Sequence, residues 1–401
     1  MQMFAHSRRK LIVVAMAACG ALALASGASF AQQGPGVTDK EIKIGAWIAL
    51  TGPIAVTGVP QKAGFEAYIN MINDRGGVNG RKINWIVEDN AYNPQRTVAA
   101  ARKLVTRDEV LAIVSSLGTA QSLAAFPYLL DEAKVPFFFA YAGLKDWWYP
   151  PREDLYGLFV NLENQARLLG RWAAKEGAKN VMVVHSALMQ FEVVAKEVIP
   201  GVKSVNQGNN VELYSAKFDT QDYGPIAIDI AKKKPDALVF ILAQPDIVRL
   251  SKELAQQGFK VPSYTYAPTV ANAFIELGGP AVQGLRSMSL TLPPETDTPA
   301  MREYREALAK YFPNEKPDFI SLFGFANAKV FVEALRRIKG PINRQSLKAA
   351  LETVKNLDTG ILPTVNFGPG QHLGVTATQR VQLSGNRWIP VGTPVDGDKD
   401  W

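Results

Sequence analysis

From residue 42 onward the sequence alternates, almost without interruption, between short apolar runs and longer stretches with apolar residues at helical spacing. Strands are predicted at 42–50, 82–88, 110–115, 135–140 and 155–160, and again at 180–185, 212–216, 237–242, 263–266 and 285–289. Helices are predicted between them at 59–73, 94–106, 119–132, 163–176, 191–198, 223–232 and 246–257. Parallel strands need a crossover to return the chain, so this alternation implies an α/β fold of parallel sheets covered by helices. A chain of 401 residues exceeds one typical core, and two domains follow. No linker separates two halves. Helices predicted at 300–312, 320–338 and 343–354 come late and suit the first sheet better than the second. The chain is therefore expected to cross between lobes near 160, 290 and 378. That assigns 32–160 and 290–377 to lobe 1, and 161–289 and 378–401 to lobe 2. Short strands at 364–367, 379–383 and 387–390 are predicted to finish the fold.

Residues 1–31 read as an export signal. Arg8, Arg9 and Lys10 form a basic start, residues 11–25 are uncharged and apolar, and Ser29-Phe30-Ala31 offers small residues to a signal peptidase. The apolar run, about 15 residues, is short for a membrane span. Ser7-Arg8-Arg9-Lys10 partly resembles a twin-arginine signal, and the export route stays open. Lipid attachment at Cys19 is the less favoured alternative, because the apolar run continues past it. Cleavage after Ala31 lowers the formal charge from +7 to +4, since the segment holds three basic residues and no acidic ones. So mild a charge, without a basic cluster, gives no footprint for nucleic acid. Cleavage also removes Cys19, the only cysteine, so the expected product is a disulfide-free periplasmic protein.

Catalytic and cofactor patterns do not emerge. His185 and His372 lie in unrelated contexts, and no zinc spacing, G-x-S-x-G elbow or phosphate loop ending in Gly-Lys-Ser/Thr occurs. Gly368-Pro369-Gly370 lacks the preceding strand that a dinucleotide loop requires and reads as a turn. Asp89 has no identifiable partner for acid–base work; Glu88-Asp89-Asn90 reads as a turn cap. No metal, cofactor or enzymatic activity is expected. Aromatic residues gather at or after predicted strand ends, where ligands of open parallel sheets sit: Trp47, Tyr92 and Tyr141 among them.

Ordered segments carry a resemblance. Ile42-Lys43-Ile44-Gly45, Leu50-Thr51-Gly52-Pro53, Gly76-Gly77-Val78-Asn79-Gly80-Arg81, Glu88 to Pro94, Ala99 to Val105 and Ser116-Leu117-Gly118-Thr119 follow one another as in type I periplasmic binding proteins of the branched-chain amino-acid family. The resemblance runs from about residue 40 to about residue 390. It implies two Rossmann-like lobes joined by three crossovers, closing on a ligand like a hinge. It also implies delivery to the membrane permease and ATPase of an ABC importer, by a monomer.

The resemblance further implies a site. The ligand carboxylate would rest at the start of a lobe 1 helix, on Leu117, Gly118 and Thr119 with Ser122 one turn on. A second contact would follow the strand at 135–140, where this chain reads Tyr141-Ala142-Gly143 and lacks the family's usual threonine. The amino-group end departs further. A tyrosine and a glutamate are replaced at matching positions by Ala243-Gln244 and Pro268; Asp246 or Glu192 would have to substitute. Phe325 stands where a tyrosine often lines the cleft, and Gln190 faces the same space. Trp47, Thr57 and Tyr92 complete the candidate set. A buried ammonium without a carboxylate partner costs several kcal/mol, about 3–5 for a broken pair. The expected ligand is thus a small hydrophobic or aromatic carboxylate, with a branched-chain or hydrophobic amino acid as the alternative, and a ligand-presenting sensory role as an alternative of another kind.

Overall fold

The computed structural model describes residues 33–397. The expected export signal, Cys19 and the last four residues lie outside the described residues.

The first sheet is built from β1 (Glu41–Ile48), β2 (Lys82–Asp89), β3 (Ile113–Val114), β4 (Phe137–Phe138) and β5 (Leu155–Tyr156). Its order is β2-β1-β3-β4-β5 and every pairing is parallel. Helices α1 (Ala55–Asp74), α2 (Pro94–Thr106) and α3 (Thr119–Phe126) provide the crossovers. Asn93 starts α2: its side chain accepts the Arg96 N–H, and Pro94 occupies the first turn, where its missing N–H costs nothing.

The second series runs α4 (Leu162–Lys175), β6 (Asn180–Ser186), α5 (Met189–Lys196), α6 (Val198–Lys203), β7 (Asn210–Ala216), α7 (Gly224–Lys233), β8 (Ala237–Ile241), α8 (Gln244–Gln256), β9 (Ser263–Thr265), α9 (Asn272–Gly278) and β10 (Arg286–Ser289). Then follow α10 (Pro299–Tyr311), α11 (Phe319–Arg337), α12 (Arg344–Glu352), β11 (Ala377–Ser384), β12 (Arg387–Pro390) and β13 (Val395–Asp396). The second sheet has the order β12-β11-β10-β9-β8-β6-β7, with β13 beside β11. It is parallel from β10 to β7, while β11 and β12 run antiparallel.

The chain passes between the two lobes three times. It leaves the first sheet after β5, returns after β10, and leaves again before β11. Between the last two passages α10 and α11 lie against α1, so residues late in the sequence complete the first lobe's core. Gly64 and Gly324 make the α1–α11 crossing possible: a Cβ on Gly64 would lie 1.7 Å from the Ser321 carbonyl oxygen, and one on Gly324 would lie 2.3 Å from that of Gln61.

Helices α6 and α9 and strand β13 are not among the predicted elements, the strands predicted at 110–115 and 135–140 shorten to β3 and β4, and three further differences have local causes. Helix α1 begins at Ala55, although Gly58 and Pro60 resemble helix breakers. Gly58 is required by packing, because a Cβ there would stand 2.0 Å from the Ala49 carbonyl oxygen at the end of the first strand's path. The helix predicted to reach 132 stops at Phe126 and continues as a wider π-helical turn, Pro127–Glu132, where Pro127 interrupts the N–H series. Residues 364–367 form no strand. Val365 pairs with Leu357, whereas the Asn366 and Phe367 N–H groups turn to Gly374 and Val354, so no common ladder extends.

Candidate ligand-binding site

In an open parallel sheet the space beyond the carboxyl ends of the strands receives ligands. Here two sheets present those ends to each other. The cleft between them is lined from lobe 1 by Ile54, Thr57, Tyr92, Leu117, Gly118, Thr119, Tyr141, Ala142, Phe159 and Leu162. Lobe 2 contributes Gln190, Phe191, Val194, Ile241, Leu242, Ala243, Gln244, Tyr266 and Pro268. The enclosed volume is about 70 Å³.

The lobes stand closed around it. Gln244 Nε2 in lobe 2 donates to Thr57 Oγ1 in lobe 1 at 3.2 Å. The Tyr92 ring stacks on Phe218 with centroids 6.4 Å apart. Outside the cleft, Asp318 Oδ2 accepts the Asn272 N–H at 2.5 Å, and Lys316 pairs with Glu276 at 2.9 Å.

The start of α3 is shaped by its approach. The Leu117 N–H donates to the Trp47 carbonyl at 3.0 Å, and the Tyr141 N–H donates to that of Ser116 at 2.8 Å, so both sheet registers carry on into the cleft. Gly118 then occupies φ 107°, a region that favours glycine, and a Cβ there would lie 2.3 Å from Gln121 Oε1. Gly118, not Thr119, is the N-cap residue, and no side chain caps the helix. Its first-turn N–H groups have no intrahelical acceptors and carry the positive end of the helix dipole.

Two further helices begin at the cleft in the same way. Helix α5 follows Leu188 and helix α8 follows Ala243, and neither has a side-chain cap. Three positive helix ends therefore converge on a space whose nineteen lining residues include no Asp, Glu, Lys, Arg or His. The lining phenols stay neutral donors: burial pushes Tyr92 up to about 12 and raises Tyr141 and Tyr266 further.

Ten of the fourteen residues singled out from sequence lie in this lining: Thr57, Tyr92, Leu117, Gly118, Thr119, Tyr141, Ala142, Gln190, Gln244 and Pro268. Four do not. Trp47 is buried in the lobe 1 core, stacked on Phe137 with centroids 5.3 Å apart, and only its carbonyl reaches toward the site. The Ser122 hydroxyl turns back and donates to the Gly118 carbonyl at 2.7 Å. Gly143 sits against the Trp148 ring, and its carbonyl accepts the Leu162 N–H. Phe325 is held edge-on between Tyr68 and Tyr304 inside lobe 1. The proposed substitutes for an ammonium partner are also occupied elsewhere: Asp246 pairs with Arg249 at 3.1 Å, and Glu192 pairs with Lys196 at 2.8 Å. Sequence reasoning missed the apolar wall of Ile54, Phe159, Leu162, Phe191, Val194, Ile241, Leu242 and Tyr266. Leu242 and Tyr266 each directly follow a strand, a positional signal that was available.

The fold agrees with the comparisons. Residues 41–387 match the periplasmic binding protein family. The chain belongs to that family. This binding protein is 24% identical over 341 residues to the Leu/Ile/Val-binding protein homolog 7 of Brucella abortus, covering 80% of this chain and 84% of the relative. It shares its fold with a branched-chain amino acid ABC transporter protein from Thermus thermophilus with bound valine, at TM-score 0.81 and 20% identity, covering 90% of this chain and 97% of that one. A fatty acid ABC transporter substrate-binding protein from Thermomonospora curvata gives TM-score 0.80 at 22% identity, covering 92% and 96%. It is thus a periplasmic binding protein, a member of a substrate-binding class, and is similar to proteins named as Leu/Ile/Val-binding homologues. Among the described residues, no helix is long and apolar enough to cross a membrane, and no cluster of three metal-ligating side chains occurs.

One buried acid beside the cleft titrates near neutrality. Glu163 follows the lining residue Leu162; its Oε1 accepts the Lys145 N–H at 3.0 Å and its Oε2 has no partner. Burial pushes its carboxyl from 4.5 to about 7. A raised acid pKa means the folded form holds a proton that the unfolded form releases, so stability falls between about pH 4.5 and 7 and levels off above. Urea unfolding of this binding protein should therefore show a loss between pH 5 and pH 8 about 2 kcal/mol larger than for Glu163→Gln. Parallel pH profiles for the two proteins would rule this out.

Proposed function

We propose that this protein captures a small hydrophobic or aromatic carboxylate in the interlobe cleft, outside the cytoplasmic membrane, and passes it to the permease and ATPase of an ABC importer. The observation that carries the reading is the electrostatics of the cleft: three uncapped helix N-termini converge on a lining without a charged side chain. Main-chain N–H groups at a helix start bind anions well. An ammonium placed there meets positive dipole ends, and the first-turn acids of α5 and α8, Glu192 and Asp246, are outside the lining and paired with Lys196 and Arg249, so the zwitterion of an amino acid is the poorer guest. The lobes meeting across the cleft at Gln244 and Thr57 favour a compact acid over a long chain. Residues 32–160 with 290–377, and 161–289 with 378–401, serve as the two closing bodies. They part to admit the ligand and shut on it, and the shut form is the one a permease would receive.

A thermal-shift panel tests the reading. Ligand at a hundred times its dissociation constant adds about 2.7 kcal/mol of stability. Benzoate or 3-methylbutanoate should raise the melting temperature, and leucine and valine should not. Stabilisation by the amino acids alone would refute it in favour of the function named for the Brucella relative. Thr119→Ala should weaken binding of the stabilising acid by about 1–3 kcal/mol, or five- to 150-fold, through loss of a bond to a charged group. Equal affinity in calorimetry would remove Thr119 from the site.

A further inference from the structure

Gln244 is committed on one side and bare on the other. It lines the cleft and is 4% exposed. Its Nε2 donates to the Pro268 carbonyl at 2.6 Å and to Thr57 Oγ1 at 3.2 Å. A carbonyl oxygen can only accept, so the Pro268 contact fixes which end of the amide is nitrogen. Turning the amide over would set two acceptors against each other. Oε1 is therefore held as the buried end, and it has no hydrogen-bond partner. A buried acceptor left unpaired costs free energy, on the order of 1–3 kcal/mol, and a guest that supplies a donor removes that cost.

We infer that the ligand carries, besides its carboxylate, a neutral hydrogen-bond donor such as a hydroxyl, received by Gln244 Oε1. The inference rests on the carboxylate reading above and narrows it to hydroxylated monocarboxylates. A neutral donor fits where an ammonium does not. An amide oxygen satisfies a hydroxyl fully, but it offers no countercharge, and Ala243-Gln244 open α8 with the positive end of its dipole toward the same space. A site built around a buried acceptor also discriminates sharply. The analogue lacking the donor leaves that acceptor unpaired, whereas an extra methylene in an apolar pocket changes affinity little.

Calorimetry on two matched series tests this, with the hydroxyl placed differently in each: benzoate against 4-hydroxybenzoate, and 3-methylbutanoate against 2-hydroxy-3-methylbutanoate, with valine as the ammonium analogue of the second. In at least one series the hydroxy acid should bind tenfold or more tightly than its parent. Gln244→Leu and Gln244→Met also lose the Nε2 bonds to Thr57 and Pro268, so the readout is the ratio: in each variant the hydroxy acid should bind no more tightly than its parent, whatever the parent's own affinity becomes. Urea midpoints close to the wild type's show that the variants are folded, and measurable binding of the parent shows that the carboxylate end is intact. Parent acids that bind without any gain from the hydroxyl, or a gain that survives both variants, would overturn the inference and leave the carboxylate reading standing. Binding of valine with no binding of any of the four acids would overturn both.

Discussion

Ala243→Asp should cost this binding protein about a hundredfold in affinity for a hydrophobic carboxylate while leaving it at least as stable as the wild type. Ala243 lines the cleft, is buried, and is the N-cap residue of α8, with φ −66° and ψ 152°. That extended geometry suits an aspartate, whose side chain would accept a first-turn N–H that has no cap at present. The cap contributes about 1 kcal/mol, and at pH 8 the carboxylate is ionised, since burial raises the first-turn acid Glu163 only to about 7. Bound anion and new carboxylate then share a closed, uncharged space. At a separation on the order of 6 Å and an effective dielectric of about 20, two unit charges repel by about 3 kcal/mol, close to a hundredfold. The same substitution supplies the missing partner for an ammonium, so valine should gain relative to 3-methylbutanoate. Denaturant unfolding and calorimetry on one preparation separate the two effects. A stable variant that still binds the acid at wild-type strength would show that the acid does not occupy this cleft.

Gly64→Ala should destabilise the protein by about 3–4 kcal/mol, near the upper end for a single added methyl. The substitution favours helix on intrinsic grounds, by about 1 kcal/mol, and the opposite net sign is the point of the prediction. The new Cβ would lie 1.7 Å from the Ser321 carbonyl oxygen, less than half a normal contact distance, and Ser321 belongs to the backbone of a packed helix. Either α1 and α11 separate along their length or the Ser321 peptide leaves its helical geometry. Gly76→Ala provides the control: it has φ 96° but nothing within 4 Å of its Cβ, so only the left-handed backbone cost remains. Urea midpoints for Gly64→Ala and Gly76→Ala that coincide would contradict the close helix crossing that ties the late helices to lobe 1.

Much of this architecture was legible because period and order survive in the residues. Strand cores such as Val181–Val184 are apolar enough to be read directly, as is Ala237–Ile241, which is buried at every position. The return of residues 299–337 to lobe 1 was expected from a run of late helices with no strand between them. The start of α1 was not, because a glycine and a proline near a helix start look like punctuation until the Ala49 carbonyl is seen pressing on Gly58. In the site, chain order marked the strand ends that carry Leu117, Tyr141 and Gln244. It did not tell which side chains on those ends turn inward. Trp47 and Phe325 are aromatic and well placed in sequence, yet each finds ring partners in the core. Ser122 is satisfied locally, one turn behind, by a carbonyl that sequence alone does not position. Individual side-chain directions depend on packing partners distant in the chain, and periodicity carries no record of them.

The position of the guest's negative head decides whether the start of α3 is the anion site. A crystal structure with the most stabilising acid bound measures this directly. The carboxylate oxygens should stand about 2.7–3.2 Å from main-chain nitrogens in the first turn of α3, with the lobes closed over an apolar body. A carboxylate bound elsewhere, or a first turn of α3 facing only water or side chains, would contradict it.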